Sequence, residues 1–233
     1  MKHNAEDYLM AIWELGECYK FVSEKGVAER LGISLPSAWE GIHRLEREKQ
    51  LTVSKLGLKF TNKGFIKAMQ MVRAHRITEQ FVYSYLEVPW EEVHDAVMDL
   101  EHDFPDQLLT NLYKKMGSPG YCPHGNPIRP DQKMIEISAS EAPEGSYYLV
   151  RQVLEEHSFL KKLRDSGSMP GKRVRLEKGE SGLYLIGQNG DLKMPIHMGN
   201  TIRLMPKKLP ASSRKNYFDR GSLSAGKNLE PLE

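Results

Sequence analysis

Only two cysteines, Cys18 and Cys122, occur in 233 residues. No disulfide framework is therefore needed, and a reducing compartment suits the chain. No run of about 18 apolar residues is present, which argues against a membrane-spanning helix. The opening Met1-Lys2-His3-Asn4-Ala5-Glu6-Asp7 does not read as a secretory signal. A cytoplasmic protein without a membrane partner is the simplest expectation. Neither a Gly-rich phosphate loop nor a nucleophile elbow can be found, so the usual signatures of nucleotide and ester hydrolysis are missing. The chain also lacks a strong charge of either sign: 33 Lys and Arg face 31 Asp and Glu, for a net +2.

That near-neutrality hides local contrast. Residues 73–112 hold nine Asp and Glu against two Arg and no Lys, together with three histidines. On charge alone this is an ordinary solvated helix face. The spacing says more. Residues three, four, seven or eight apart share one side of a helix. His75 and Glu79 are therefore neighbours, and so are His94, Met98, Glu101 and His102. Imidazole, carboxylate and thioether on one stripe make a ligand set for a divalent transition metal. Met98 reads equally well as a core filler.

Along the chain, residues 4–19 predict an amphipathic helix capped by Asn4, and Ser23–Leu31 a second, closed by Gly32. Ser34 caps a third with Pro36 in its first turn, a favourable place for proline. Leu51–Ser54 and Leu58–Thr61 read as strands of a small hairpin around Gly57. Three helices followed by a hairpin spell a winged helix-turn-helix. Helical pattern resumes near Thr61 and runs to about Leu86, and a further helix is expected from Trp90 to Met116, with Val93, Val97, Leu100, Phe104 and Leu108 inward. From about Met134 the pattern turns to short strands. Glu155–Ser166 fits an inserted helix, and Asn189-Gly190 fits a type I′ turn.

The fold class expected is thus mainly α with a small β domain: a winged helix-turn-helix over 1–72, a helical metal-binding and dimerisation domain over 73–137, a small β-barrel of SH3-like size over 138–208, and a disordered polar tail over 209–233. In the third helix, Ser34, Ser37, His43, Arg44 and Arg47 can bond phosphate oxygens or base edges, and Pro36 and Glu40 share their stretch. Lys55 and Lys59 in the hairpin would meet the DNA backbone. Residues 1–72 carry eleven Lys and Arg against nine Asp and Glu, a weak basic balance that two half-site contacts in a dimer would offset.

These motifs resemble the diphtheria toxin repressor and manganese transport regulator family of metal-activated transcriptional repressors. The resemblance spans roughly residues 4–208 and is carried by Glu6-Asp7-Tyr8-Leu9, Arg73-Ala74-His75-Arg76-Ile77-Thr78-Glu79, Val93-His94-Asp95, Leu100-Glu101-His102 and the loop Cys122-Pro123-His124-Gly125-Asn126-Pro127-Ile128. It implies a homodimer on double-stranded operator DNA, activated by Mn2+ or Fe2+, with the three domains given above. It also implies residue roles. Asp7, Glu101 and His102 correspond to ligands of a site linking the first helix to the dimerisation domain, the activating site of the resemblance, with Met98 where relatives usually place Cys or Glu. His75 and His94 correspond to a neighbouring site, with Glu79 shared or close by. Cys122 and His124 match ligands of three-domain manganese-responsive relatives, which add a carboxylate from the third domain. Glu155 is the best match for it and Glu156 nearly as good. Glu40 stands where relatives often carry a neutral polar residue. A metal-dependent hydrolase and a winged-helix sensor of an organic ligand are the rival classes. DNA binding with and without a chelator separates all three.

Overall fold

The computed structural model describes residues 4–98, 100 and 104–206. The chain divides into two compact units, Met1–Arg73 and Ala74–Glu233.

The first unit opens with α1 (Ala5–Cys18), whose capping box pairs the Asn4 side chain with the Asp7 amide and the Asp7 carboxylate with the Asn4 amide. Ser23 caps α2 (Glu24–Leu31) by accepting from Gly26 N, and left-handed Gly32 (φ 63°) ends it. Ser34 caps α3 (Leu35–Arg47) the same way, accepting from Ser37 N. Leu9, Ile12, Ile42 and Leu45 are fully buried where these helices meet. Each contributes about 1.5–3 kcal/mol by leaving water. Gly41 is what lets α1 approach α3, because a Cβ there would stand 2.3 Å from the Tyr8 ring. β1 (Leu51–Ser54) and β2 (Gly57–Phe60) pair antiparallel, Leu51 opposite Phe60 and Val53 opposite Leu58. This is the expected wing. α4 (Asn62–Tyr85) follows, and the division between the units falls within it.

In the second unit the helix expected over Trp90–Met116 is not continuous. A 3-10 turn (Trp90–Glu92) leads into α5 (Val93–Val97), and α6 (Asp106–Lys115) is a separate helix capped at Pro105. Pro105 is the cause: it removes a helical donor, clashes with the preceding turn and biases Phe104 away from helical backbone. The break also resets the helical phase. Val93 and Val97 are buried as expected, but Leu100 and Leu108 are exposed and Leu109 takes the inward position.

The β part is a six-stranded antiparallel sheet in the order β3-β8-β4-β5-β6-β7. Its strands are β3 (Ile137–Ser138), β4 (Gly145–Gln152), β5 (Arg173–Gly179), β6 (Gly182–Ile186), β7 (Asp191–Met194) and β8 (Ile202–Pro206). α7 (His157–Asp165) follows β4 and buries Phe159, Leu160 and Leu163 against Leu149, Leu176 and Leu185. The β6–β7 connection is not the type I′ turn expected. That turn needs positive φ at both central residues, and Asn189 is not among the described non-glycine residues with positive φ. Instead Asn189 N donates to Ser166 O, tying the turn to the end of α7. The tail expected to be disordered, 209–233, lies outside the described residues.

Candidate metal centre and DNA-facing surface

Six of the proposed ligands converge in the second unit. α4 carries His75 and Glu79 one turn apart, α5 carries His94, the loop after α6 carries Cys122 and His124, and Glu155 lies between β4 and α7. All six are buried. Glu79 Oε1 lies 3.2 Å from His75 Nε2, which is 3.1 Å from His94 Nδ1, which is 2.9 Å from Glu155 Oε2. On the other side, His124 Nδ1 lies 3.1 Å from Glu79 Oε1 and 3.4 Å from Glu155 Oε1. Two overlapping quartets result, His75-Glu79-His94-Glu155 and Glu79-Cys122-His124-Glu155, each with donor atoms within 4.8 Å of one another.

The loop is built to deliver Cys122 and His124. Cys122 N donates to Asn126 O and Gly125 N to Cys122 O, closing a tight turn. Gln152 N donates to His124 O, fixing the turn beside β4. Gly125 has φ 84°, and a Cβ there would lie 2.0 Å from Val150 O, so position and backbone both demand glycine. Trp90 Nε1 donates to Pro123 O at 2.8 Å, and Arg76 donates to Pro127 O at 2.9 Å.

Elementary valence shows what the cluster needs. His124 Nε2 must carry hydrogen, because its partner at 3.0 Å is the Trp90 carbonyl oxygen. In the neutral ring Nδ1 is then a lone pair aimed at two carboxylate oxygens, and acceptors cannot satisfy acceptors. Glu79 Oε2 is buried with no hydrogen-bond partner. Only a proton or a cation makes this geometry favourable. Burial opposes charge on His124, yet Glu155 and Glu79 raise its pKa well above the ordinary value; His94 is also raised, burial being outweighed by its bonds to Glu155 and Glu79. Burial likewise opposes ionisation of Glu155 and Glu79, but the histidines outweigh it and hold both carboxyls below the usual range. Burial, then the charge of Glu79, pushes the Cys122 thiol up to about 12. A divalent cation would replace those protons and release the thiolate for ligation, and the mixed N, O and S set suits Mn2+ or Fe2+.

The other candidates fall differently. Glu156 is exposed and caps α7 with its backbone, so the carboxylate facing the cluster is that of Glu155. Met98 is half-buried at the C-cap of α5, and Asp7 closes the capping box of α1. Glu101 and His102 lie outside the described residues. Asn126 escaped the sequence reading: its Nδ2 donates to Glu155 Oε1 at 2.6 Å and to Gln152 O at 2.8 Å, while its Oδ1 accepts from Arg151 at 3.2 Å. Only its place in the Cys122–Ile128 loop hinted at this.

On α3 and the wing, Ser34, Pro36, Ser37, Glu40, Arg44, Arg47, Lys55 and Lys59 are all exposed. His43 is half-buried, its Nδ1 2.7 Å from Glu46 and its Nε2 3.5 Å from Glu24. Trp39, 51% exposed, with its ring centroid 4.3 Å from that of His43 in a tilted contact, also stands on this face. Its position out of phase with buried Ala38, Ile42 and Leu45 was the signal that could have singled it out.

Comparison with known proteins agrees with this architecture. Residues 1–56 match the iron dependent repressor N-terminal DNA binding domain, and residues 61–130 match the iron dependent repressor metal binding and dimerisation domain. The diphtheria toxin repressor of Corynebacterium jeikeium is 30% identical over 85% of this chain and 95% of its own length. The chain belongs to the diphtheria toxin repressor family. This family member is a metal-dependent DNA-binding transcriptional repressor and not an enzyme. The iron-dependent repressor IdeR of Mycobacterium leprae is 29% identical with the same coverage. The manganese regulator SloR superposes with a TM-score of 0.77 at 27% identity, covering 89% of this chain and all of that one. Among the described residues, no helix of the repressor is long and apolar enough to cross a membrane.

Proposed function

We propose that this repressor acts as a cytoplasmic homodimer on double-stranded operator DNA and controls metal homeostasis in response to Mn2+ or Fe2+. The proposed domains are 1–72 for DNA binding, 73–137 for metal binding and dimerisation, and 138–208 as the SH3-like domain. The observation that carries the reading is the convergence of His75, Glu79, His94, Cys122, His124 and Glu155, with the buried, unpaired Glu79 Oε2 among them. These six are the proposed ligands of the centre in the second unit. Asp7, Met98, Glu101 and His102 are the proposed ligands of the activating site, on the strength of the family resemblance.

A bound divalent ion supplies the positive charge that clustered carboxylates need in order to approach. Glu79 and Glu155 bring negative charge into a buried site, and the three imidazoles orient toward them. Asp7, drawn into a common ligand set with Glu101 and His102, would restrict the orientation of the recognition helices. DNA half-sites one helical turn apart accept only a narrow range of such orientations. Metal therefore shifts the population toward the DNA-competent form, and DNA must tighten metal binding by the same factor. On α3, Ser34, Ser37, His43, Arg44 and Arg47 are proposed to bond phosphate oxygens or base edges, with Pro36 and Glu40 on the same DNA-facing stretch and Lys55 and Lys59 on the backbone.

The test is fluorescence anisotropy with DNA from the protein's own promoter region. Binding should appear with Mn2+ or Fe2+ and vanish with chelator. His102→Ala should stay folded and lose the metal dependence. Unchanged metal-dependent binding in that variant refutes the activating-site assignment.

A further inference from the structure

Glu155 faces two ways. Its Oε2 lies 2.9 Å from His94 Nδ1 and 3.7 Å from His75 Nε2, whereas its Oε1 lies 3.4 Å from His124 Nδ1. Glu79 is shared as well: its Oε1 stands 3.2 Å from His75 Nε2 and 3.1 Å from His124 Nδ1, and its Oε2 is the buried oxygen without a partner. Both carboxylates thus belong to both quartets, while the other four donors divide cleanly, His75 and His94 to one side and Cys122 and His124 to the other.

We propose that these six residues form one dinuclear centre in which Glu155 bridges two divalent ions, one oxygen to each, with Glu79 shared between them. The proposal rests on the metal-binding reading above and deepens it. A single ion held by His75, His94 and the two carboxylates would leave His124 Nδ1, whose ring partner Nε2 already serves Trp90 O, to hold a proton against Glu79 and Glu155 instead of a metal. Cys122 would likewise stay a buried thiol bonded to His124 and take no part in ligation. A second ion uses both donors.

The halves are chemically unequal. His75 and His94 offer two borderline nitrogens, whereas Cys122 adds a soft thiolate to His124. Charge orders the filling. The first divalent ion neutralises the two carboxylates, and the second, offset by one thiolate, leaves the interior net positive. The first ion therefore binds more tightly, and the second position selects thiophilic Fe2+, Co2+ or Zn2+ over Mn2+.

The probe is Co2+ titrated into the full chain, with bound metal counted by equilibrium dialysis, the thiolate-to-cobalt band followed by absorption, and spin coupling followed by electron paramagnetic resonance. In the unmodified protein the band should develop in a step later than the first ion at this centre, with coupling appearing only then. Cys122→Ser should abolish the band and weaken one step. His75→Gln with His94→Gln should remove one ion and keep the band. Glu155→Gln should weaken both steps and remove the coupling. If one ion gives the full band and every variant merely shifts that ion's affinity, the dinuclear proposal is overturned while the metal-binding reading stands. If count and spectrum are unchanged in every variant, both fail. Should the buried-site variants not fold by circular dichroism, the stepwise band and coupling of the unmodified protein decide alone: two steps with coupling support the pair, and one step without coupling overturns it.

Discussion

Asn126→Ala removes no proposed ligand, yet it should disable the centre. The amide holds Glu155 Oε1 at 2.6 Å and is itself held by Arg151 at 3.2 Å and by the Gln152 carbonyl at 2.8 Å. Arg151 is in turn fixed by Glu136, Nε to Oε2 at 2.9 Å and the second guanidinium nitrogen to Oε1 at 2.6 Å. Truncation breaks three buried hydrogen bonds, one of them to an ionised carboxylate. Net values of about 0.5–1.5 kcal/mol for a neutral bond and 1.5–3 for a charged one give a loss of about 2–4 kcal/mol, because Arg151 keeps Glu136 and water can enter the vacated volume. For a unit of this size each kcal/mol moves the midpoint by about 2–4 °C. Outer partners of ligands typically contribute 10–100-fold in metal affinity, about 1.4–2.7 kcal/mol. The assay is competition against a chelator at fixed pH, paired with thermal unfolding of chelated and metal-loaded protein. A folded variant with metal affinity within twofold of the parent's would refute the claim that Asn126 aims Glu155 at a metal.

In chelator, stability should follow the buried network. The raised pKa of His124 and His94 contributes stability that is full below the ordinary value of 6.5 and lost as pH rises through the folded-state values. The lowered pKa of Glu79 and Glu155 contributes stability present above 4.5 and lost as pH falls through the folded-state values. Thermal melts should therefore peak between those limits, with metal rescuing the alkaline side; a flat profile contradicts the network. Gly125→Ala, with φ 84° and Val150 O in the way, should cost at least about 2 kcal/mol and weaken metal binding, as read by denaturant melts. Arg47→Ala should lower DNA affinity at every sequence alike and reduce the salt slope by about one, as read by anisotropy across ionic strengths; a change confined to one base position would instead mark Arg47 as a base reader.

Much of the first unit was legible because its signals are local. Asn4, Ser23 and Ser34 cap the helices predicted for them, Gly32 ends α2, and Leu51–Phe60 forms the wing. The His75–Glu79 spacing needs only one helical turn. The break before α6 was legible too, since Pro105 announces it, but the apolar spacing from Val93 to Leu108 outweighed it in the sequence reading. Longer-range facts were not available. Glu155 and Glu156 are adjacent carboxylates, and only the start of α7 decides that one turns inward while the other caps the helix. The Trp90 carbonyl that fixes the His124 ring, and the Asn126 amide that aims Glu155, arise from chain segments 34 and 29 residues apart from their partners. A carboxylate that offers one oxygen to each of two quartets has no sequence signature.

Anomalous diffraction from crystals grown with excess Mn2+ tests the central claim most directly. Density should stand among His75 Nε2, His94 Nδ1 and the carboxylates of Glu79 and Glu155, at full occupancy and absent after chelation. A crystal with Mn2+ elsewhere and only solvent among those side chains would contradict the account.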